Sequence, residues 1–175
     1  MSQIANVLTE LDMEAIADVR EFVMQAHSGQ MRRGDTEPYH QHAWRVGEAV
    51  QARRGMSMDA ILAAYMHDVI EDTDIVPLKL LELGYSERTV QLVMALSRDA
   101  DIPYSVYIDD LAASGDVELM TIKLADLNDN SIIWPEGCWV GWEHAMSRYN
   151  KAKVVLMNAI LKSPGYVTRI DTTQP

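Results

Sequence analysis

The stretch Ile61-Leu62-Ala63-Ala64-Tyr65-Met66-His67-Asp68-Val69-Ile70-Glu71-Asp72-Thr73-Asp74 runs a non-polar approach straight into ionisable groups. His67, Asp68, Glu71 and Asp72 fall within six positions of a segment that otherwise reads as buried helix. Residues four apart on a helix share a face, so Glu71 is expected one turn beyond His67, and Asp72 one turn beyond Asp68. Carboxylates carried toward an interior must be paired or must hold a metal, because bare buried charge is costly. An imidazole beside a carboxylate, with a further acidic pair a turn away, therefore predicts a metal site with its own acid–base groups.

Outward from this segment the pattern is helical. Apolar positions recur at three and four residues, and no long alternating strand pattern appears. Helices are predicted from about Met13 to His27, from Pro38 to Arg53, and from a Ser57 cap through the His-Asp pair. Others follow from Pro77 to near Gly84, from a Ser86 cap to Ser97, from Tyr104 to Ala113, from after Asp116 to Asn130, and from Glu143 to Leu161. Ser28 to Glu37 reads as a polar loop, and Ile132 to Trp142 as a loop with three tryptophans. The expectation is an all-α helical bundle, one domain over 1–162, with a polar, disordered tail over 163–175.

The 175 residues suffice for a real core, and 48% hydrophobic with 23% charged residues is ordinary for a soluble globular protein. A net charge of −11 argues against nucleic-acid backbones and anionic membranes as partners. Small phosphorylated substrates stay open, since a cation offsets local charge. The single cysteine, Cys138, allows no internal disulfide and fits the cytoplasm. Met1 to Glu14 lacks an apolar signal region, and no run approaches membrane-spanning length.

A catalytic divalent metal needs several convergent ligands and open positions. Adjacent residues on a helix project roughly 100° apart, so His67 and Asp68 can grip an ion only at the helix edge, and other segments must contribute. Two candidates are His42, in Pro38-Tyr39-His40-Gln41-His42, and Asp126, in Thr121-Ile122-Lys123-Leu124-Ala125-Asp126 with Asn130 one turn on.

His42, His67-Asp68 and Asp126 resemble the H…HD…D pattern of HD-domain metal phosphohydrolases. Ala26-His27-Ser28-Gly29-Gln30-Met31-Arg32-Arg33-Gly34 with Pro38-Tyr39-x-x-His42 is similar to the opening of the Rel/SpoT-type hydrolase domain. His67-Asp68-Val69-Ile70-Glu71-Asp72-Thr73 resembles its HDxxEDT segment, and Ile122-Lys123-Leu124-Ala125-Asp126 with Asn130 its KLADxxxN segment. The likeness spans about residues 22 to 160 and leaves no room for a synthetase half or regulatory domains. It implies a small alarmone hydrolase, similar to the stand-alone metazoan SpoT homologue, removing the 3′-pyrophosphate of (p)ppGpp.

The same likeness implies roles. His42, His67, Asp68 and Asp126 would hold Mn²⁺, the family's metal; Fe²⁺, Zn²⁺ and Co²⁺ also suit such a donor set. Glu71 and Asp72 match the family's catalytic pair. Arg32 and Arg33 match a basic pair contacting the nucleotide. Asn130 matches a residue near the ribose, Tyr149 an aromatic of the nucleotide pocket, and Lys123 is either a phosphate contact or a structural ion pair. Leu127 stands where the family has a basic residue, Ala43 where it has proline, and His40 where an apolar residue is common. The stretch from Pro135 to Trp142, with Trp134 and Trp139, has no counterpart. These departures bear on the substrate: an HD-type (deoxy)nucleotide phosphohydrolase, an NADPH 2′-phosphatase and a non-catalytic nucleotide-binding module are the other readings.

Several residues are expected to be structural. His27 closes a helix where its ring can bond the backbone, His40 is no ligand, His144 lies on the surface, and Cys138 is an ordinary loop thiol. The Trp cluster reads as core or as a homodimer interface.

Overall fold

The computed structural model describes residues 8–32, 37–132 and 141–164. Among these the chain is all-α, with an isolated Met31–Pro38 bridge as its one extended pairing. The helices are α1 (Glu10–Ala26), α2 (Tyr39–Gln51), α3 (Met58–Tyr65), α4 (Val69–Asp72), α5 (Pro77–Glu82), α6 (Glu87–Leu96), α7 (Tyr104–Ala113), α8 (Val117–Ile132) and α9 (Trp142–Lys162). They pack as two compact units, Met1–Ser97 and Arg98–Pro175.

Local chemistry sets most boundaries. The α1 helix begins earlier than the apolar period suggests, because Thr9 and Asp12 form a reciprocal capping box. Pro38 sits at the N-cap of α2, one residue before the first turn it was expected to occupy. Ser57 and Ser86 cap α3 and α6 by accepting from Ala60 N and Thr89 N. Asp116 receives the amides of Glu118 and Leu119 at the start of α8.

The first unit is built around α3. Ala60, Ala63, Ala64, Tyr65 and Met66 are fully buried between α1, α2 and α6. Asp59 ties α3 to α6 by accepting from the hydroxyls of Ser86 and Thr89. Gly47 of α2 lies against the Tyr65 ring, where an added Cβ would overlap ring carbons. Tyr65 then reaches past Gly47 to donate to Gln51 Oε1 at 3.0 Å. On the outer side, Arg20 of α1 stacks 4.3 Å from the Trp44 ring centroid and pairs with Glu48.

The sequence expectation fails at a place on which the site depends. The His-Asp pair is not inside a helix. The α3 helix ends at Tyr65, residues 66–68 form a turn, and Asp68 is the N-cap residue of the four-residue α4. Met66 N bonds both Leu62 O and Ala63 O, a tightening of the last turn, and His67 Nδ1 takes the Ala64 carbonyl. A second correction concerns depth: His67 is buried, but Glu71 and Asp72 are exposed.

In the second unit the 21-residue α9 packs on α7 and α8. Leu119, Met120, Ile122, Leu124, Leu127, Leu156 and Ile160 fill its core. Leu127 is thus a packing residue at the position where the resemblance leads one to expect a base. Arg33, Trp134, Trp139, Cys138, most of the 132–142 loop and the tail beyond 164 lie outside the described residues. No helix among the described residues is long and apolar enough to cross a membrane.

Candidate metal centre

His42 is held on the inner face of α2 with Ala43, Val46, Gly47 and Val50. His67 is delivered by the turn after α3. Both rings are 1% exposed, and their Nε2 atoms lie 3.2 Å apart. Asp68 Oδ2 lies 2.8 Å from His67 Nε2 and 3.6 Å from His42 Nε2. Adjacent helical residues could not converge in this way. The turn at 66–68 swings two sequence neighbours onto one point.

The donor set suits a cation. A carbonyl only accepts, so the His67 Nδ1 facing Ala64 O carries a proton, and it is then Nε2 that can offer a lone pair to a cation. That lone pair, a second imidazole nitrogen and a carboxylate oxygen point at one another. They repel unless a proton or a metal ion lies among them, and two imidazoles with carboxylate oxygen are a borderline set for divalent first-row metals. The Nδ1–H to backbone carbonyl bond is the kind of outer contact that fixes a metal-ligating histidine. Burial would push the Asp68 carboxyl up, but the His67 and His42 imidazoles hold it well below the usual carboxylate range.

Around these three residues runs a brace in which the sequence reading gave Tyr39 and Gln30 no role. Tyr39 donates its hydroxyl to Asp68 Oδ2 at 2.6 Å, and its ring packs 5.6 Å from His42 and 4.9 Å from His27. Burial, with the charges of Asp68 and Asp72 nearby, drives the Tyr39 phenol far above its ordinary value, so it remains a donor. Gln30 Nε2 donates to the Asp72 carbonyl at 2.8 Å, which turns its Oε1 toward His27 Nδ1 at 2.7 Å. His27 is therefore structural as expected, but its ring bonds a side chain and not the backbone. Burial holds the His27 pKa below its ordinary value. Tyr39, His27 and Gln30 all stand in the Ala-His-Ser-Gly-Gln and Pro-Tyr-x-x-His stretches, so the signal was present in the sequence.

The remaining candidates are placed as follows. Asp72 has its carboxyl pushed up, first by partial burial and then by the Asp68 charge. Arg32, 7% exposed, is not the solvated loop residue its neighbours suggest; it faces Glu37 at 3.8 Å. Arg45 also pairs with Glu37, at 2.9 and 2.7 Å. His40 packs its ring 4.7 Å from Trp44, and His144 is exposed.

In the second unit Asp126 is 4% exposed on α8. Its Oδ2 is 2.8 Å from Lys123 Nζ, and Asn130 Nδ2 donates to its Oδ1. Lys123 thus makes the ion pair, with its ammonium 5.5 Å from the Tyr107 ring centroid. Tyr149 is half-buried on α9, 5.6 Å from the Arg148 guanidinium.

A family model described as the HD domain matches residues 20–129, well over half of the chain. The chain belongs to the HD domain family. The matched span includes His42, His67, Asp68 and Asp126. A guanosine-3′,5′-bis(diphosphate) 3′-pyrophosphohydrolase of Aquifex aeolicus (strain VF5) is 29% identical over 147 residues, covering 74% of this chain and 21% of its own length. The HD chain thus spans about a fifth of that relative. A solved structure of a metazoan orthologue of SpoT, described as hydrolysing ppGpp and acting in starvation responses, matches with a TM-score of 0.68. It is 23% identical and covers 96% of each chain, which shows a shared HD fold.

Proposed function

We propose that this HD protein is a metal-dependent (p)ppGpp 3′-pyrophosphohydrolase, acting through a domain of residues 1–162 in the cytoplasm, as a homodimer or higher homo-oligomer. The observation that carries the reading is the convergence of His42 Nε2, His67 Nε2 and Asp68 Oδ2 in a buried turn beside an exposed acidic pair. The names of the two relatives support the substrate.

In this reading His42, His67, Asp68 and Asp126 hold the ion, and Mn²⁺ is the metal. When bound, a divalent cation supplies Lewis acidity toward the phosphoryl group and makes water more acidic. Asp72 accepts the proton of the attacking water; its raised pKa brings it nearer the operating pH of a general base. Glu71, one residue before it, orients that water. Gln30 keeps the 68–72 turn in place through the Asp72 carbonyl. Arg32, Arg33, Lys123, Asn130 and Tyr149 hold the nucleotide. The water oxygen bonds to phosphorus, the 3′-O–P bond breaks, the freed 3′-oxygen takes up a proton, and the products are pyrophosphate with GDP or GTP.

The test is EDTA-stripped protein incubated with ppGpp and Mn²⁺. GDP and pyrophosphate should appear, and neither should appear with Asp68→Ala. A second reading, a (deoxy)nucleotide phosphohydrolase or NADPH 2′-phosphatase, draws on Leu127, whose place in the core removes an expected cation. Silence with ppGpp but turnover of a dNTP or NADPH would establish it.

A further inference from the structure

The second unit carries a groove between α7 and α9 that the hydrolase reading does not use. Its volume is about 480 Å³, within the range that small-molecule pockets occupy. Ile108 and Val155 give it apolar walls, Ser105 and Ser147 bring hydroxyls, and Arg148 and Lys151 bring charge. Both cations stand on α9, in a chain of net charge −11.

The arrangement of Arg148 is the decisive detail. Its guanidinium lies 4.7 Å from the Tyr104 ring centroid and 5.6 Å from that of Tyr149. Two aromatic faces thus hold it by cation–π attraction. Among the described residues no carboxylate pairs with Arg148 or with Lys151. Asp109 is the one acidic side chain in the lining. A ring offers a guanidinium no hydrogen-bond acceptor in its plane, so its N–H donors can be turned to phosphate oxygens.

We propose that the α7–α9 groove binds a nucleoside diphosphate, with Arg148 and Lys151 on the phosphates and the apolar wall of Ile108 and Val155 against the nucleoside. Inorganic phosphate alone would leave that wall bare. None of these four residues belongs to the proposed metal or acid–base set, so the inference stands or falls apart from the hydrolysis reading.

The test uses the full chain with Asp68→Asn, stripped with EDTA, and GDP as the probe. Calorimetry should give saturable binding. The exposed double variant Arg148→Gln/Lys151→Gln should weaken it at least about tenfold, with an unchanged melting temperature. Amide shifts on titration should centre on Ser105, Asp109 and Ser147. Equal affinity in the double variant, shifts centred on Arg32 and His42, or pyrophosphate binding as tightly as GDP would each overturn the proposal. Loss of ppGpp hydrolysis in the wild type would leave it untouched.

Discussion

Replacing Tyr39 by Phe removes one hydroxyl and keeps the ring that packs against His27 and His42. The lost contact is the 2.6 Å hydrogen bond to Asp68 Oδ2. Asp68 is mostly buried and anionic, so the bond is charge-assisted and contributes about 1.5–3 kcal/mol. The metal-free protein should lose that much stability. For a chain of this size that corresponds to a melting temperature about 3–12 °C lower. The carboxylate should also lose its fixed orientation, and outer-shell losses of this kind weaken metal binding about 10–100-fold. The assay is a pair of measurements on both proteins: thermal unfolding in EDTA, and Mn²⁺ titration by calorimetry. A Phe variant that melts with the wild type and binds Mn²⁺ within about twofold of it would refute the idea that Tyr39 positions the metal carboxylate.

Three further outcomes follow from the same geometry. EDTA should abolish hydrolysis and Mn²⁺ restore it, whereas Asp68→Asn should stay inactive at every Mn²⁺ concentration; rescue of that variant by excess metal would remove Asp68 from the ligand set. Gly47→Ala should destabilise by about 1–3 kcal/mol in urea unfolding, since its Cβ meets the Tyr65 ring; an unchanged midpoint would mean that the α2–α3 packing yields freely. His27 is held below its ordinary pKa of 6.5 by burial, so below that pH the unfolded chain takes a proton that the folded chain refuses. Stability should therefore fall as pH drops below 6.5, by up to about 1.4 kcal/mol per unit from this group. The decline should be shallower in His27→Gln, and equal slopes would exclude His27 as the source.

How far the site was legible varies from residue to residue. Ser57, Ser86 and Pro77 marked helix starts correctly, because capping and proline geometry are local. The start of α1 was missed by three residues, since Thr9 and Asp12 lie before the apolar period begins. The interruption at Met66 was invisible: nothing in the apolar run from Ile61 forbids a helix through His67. It arises because the His67 ring and Met66 amide find carbonyl partners one turn back. Tyr39, Gln30 and His27 were in view as motif letters, but their partners are 29, 42 and 3 residues away in sequence, and spacing alone cannot reveal the two long-range pairings.

By itself the sequence determined an all-α chain, the capped helices, the HD-type motifs and the residue types able to hold a metal. These follow from periodicity and donor chemistry, which need only neighbours along the chain. Tertiary structure decided which donors meet. It brought His42 of α2 to His67, turned Asp68 toward both, set the Tyr39 hydroxyl on that carboxylate, and brought Arg148 against the Tyr104 ring. Such contacts depend on how helices pack and where one of them breaks, and that is fixed by the buried neighbours of each turn.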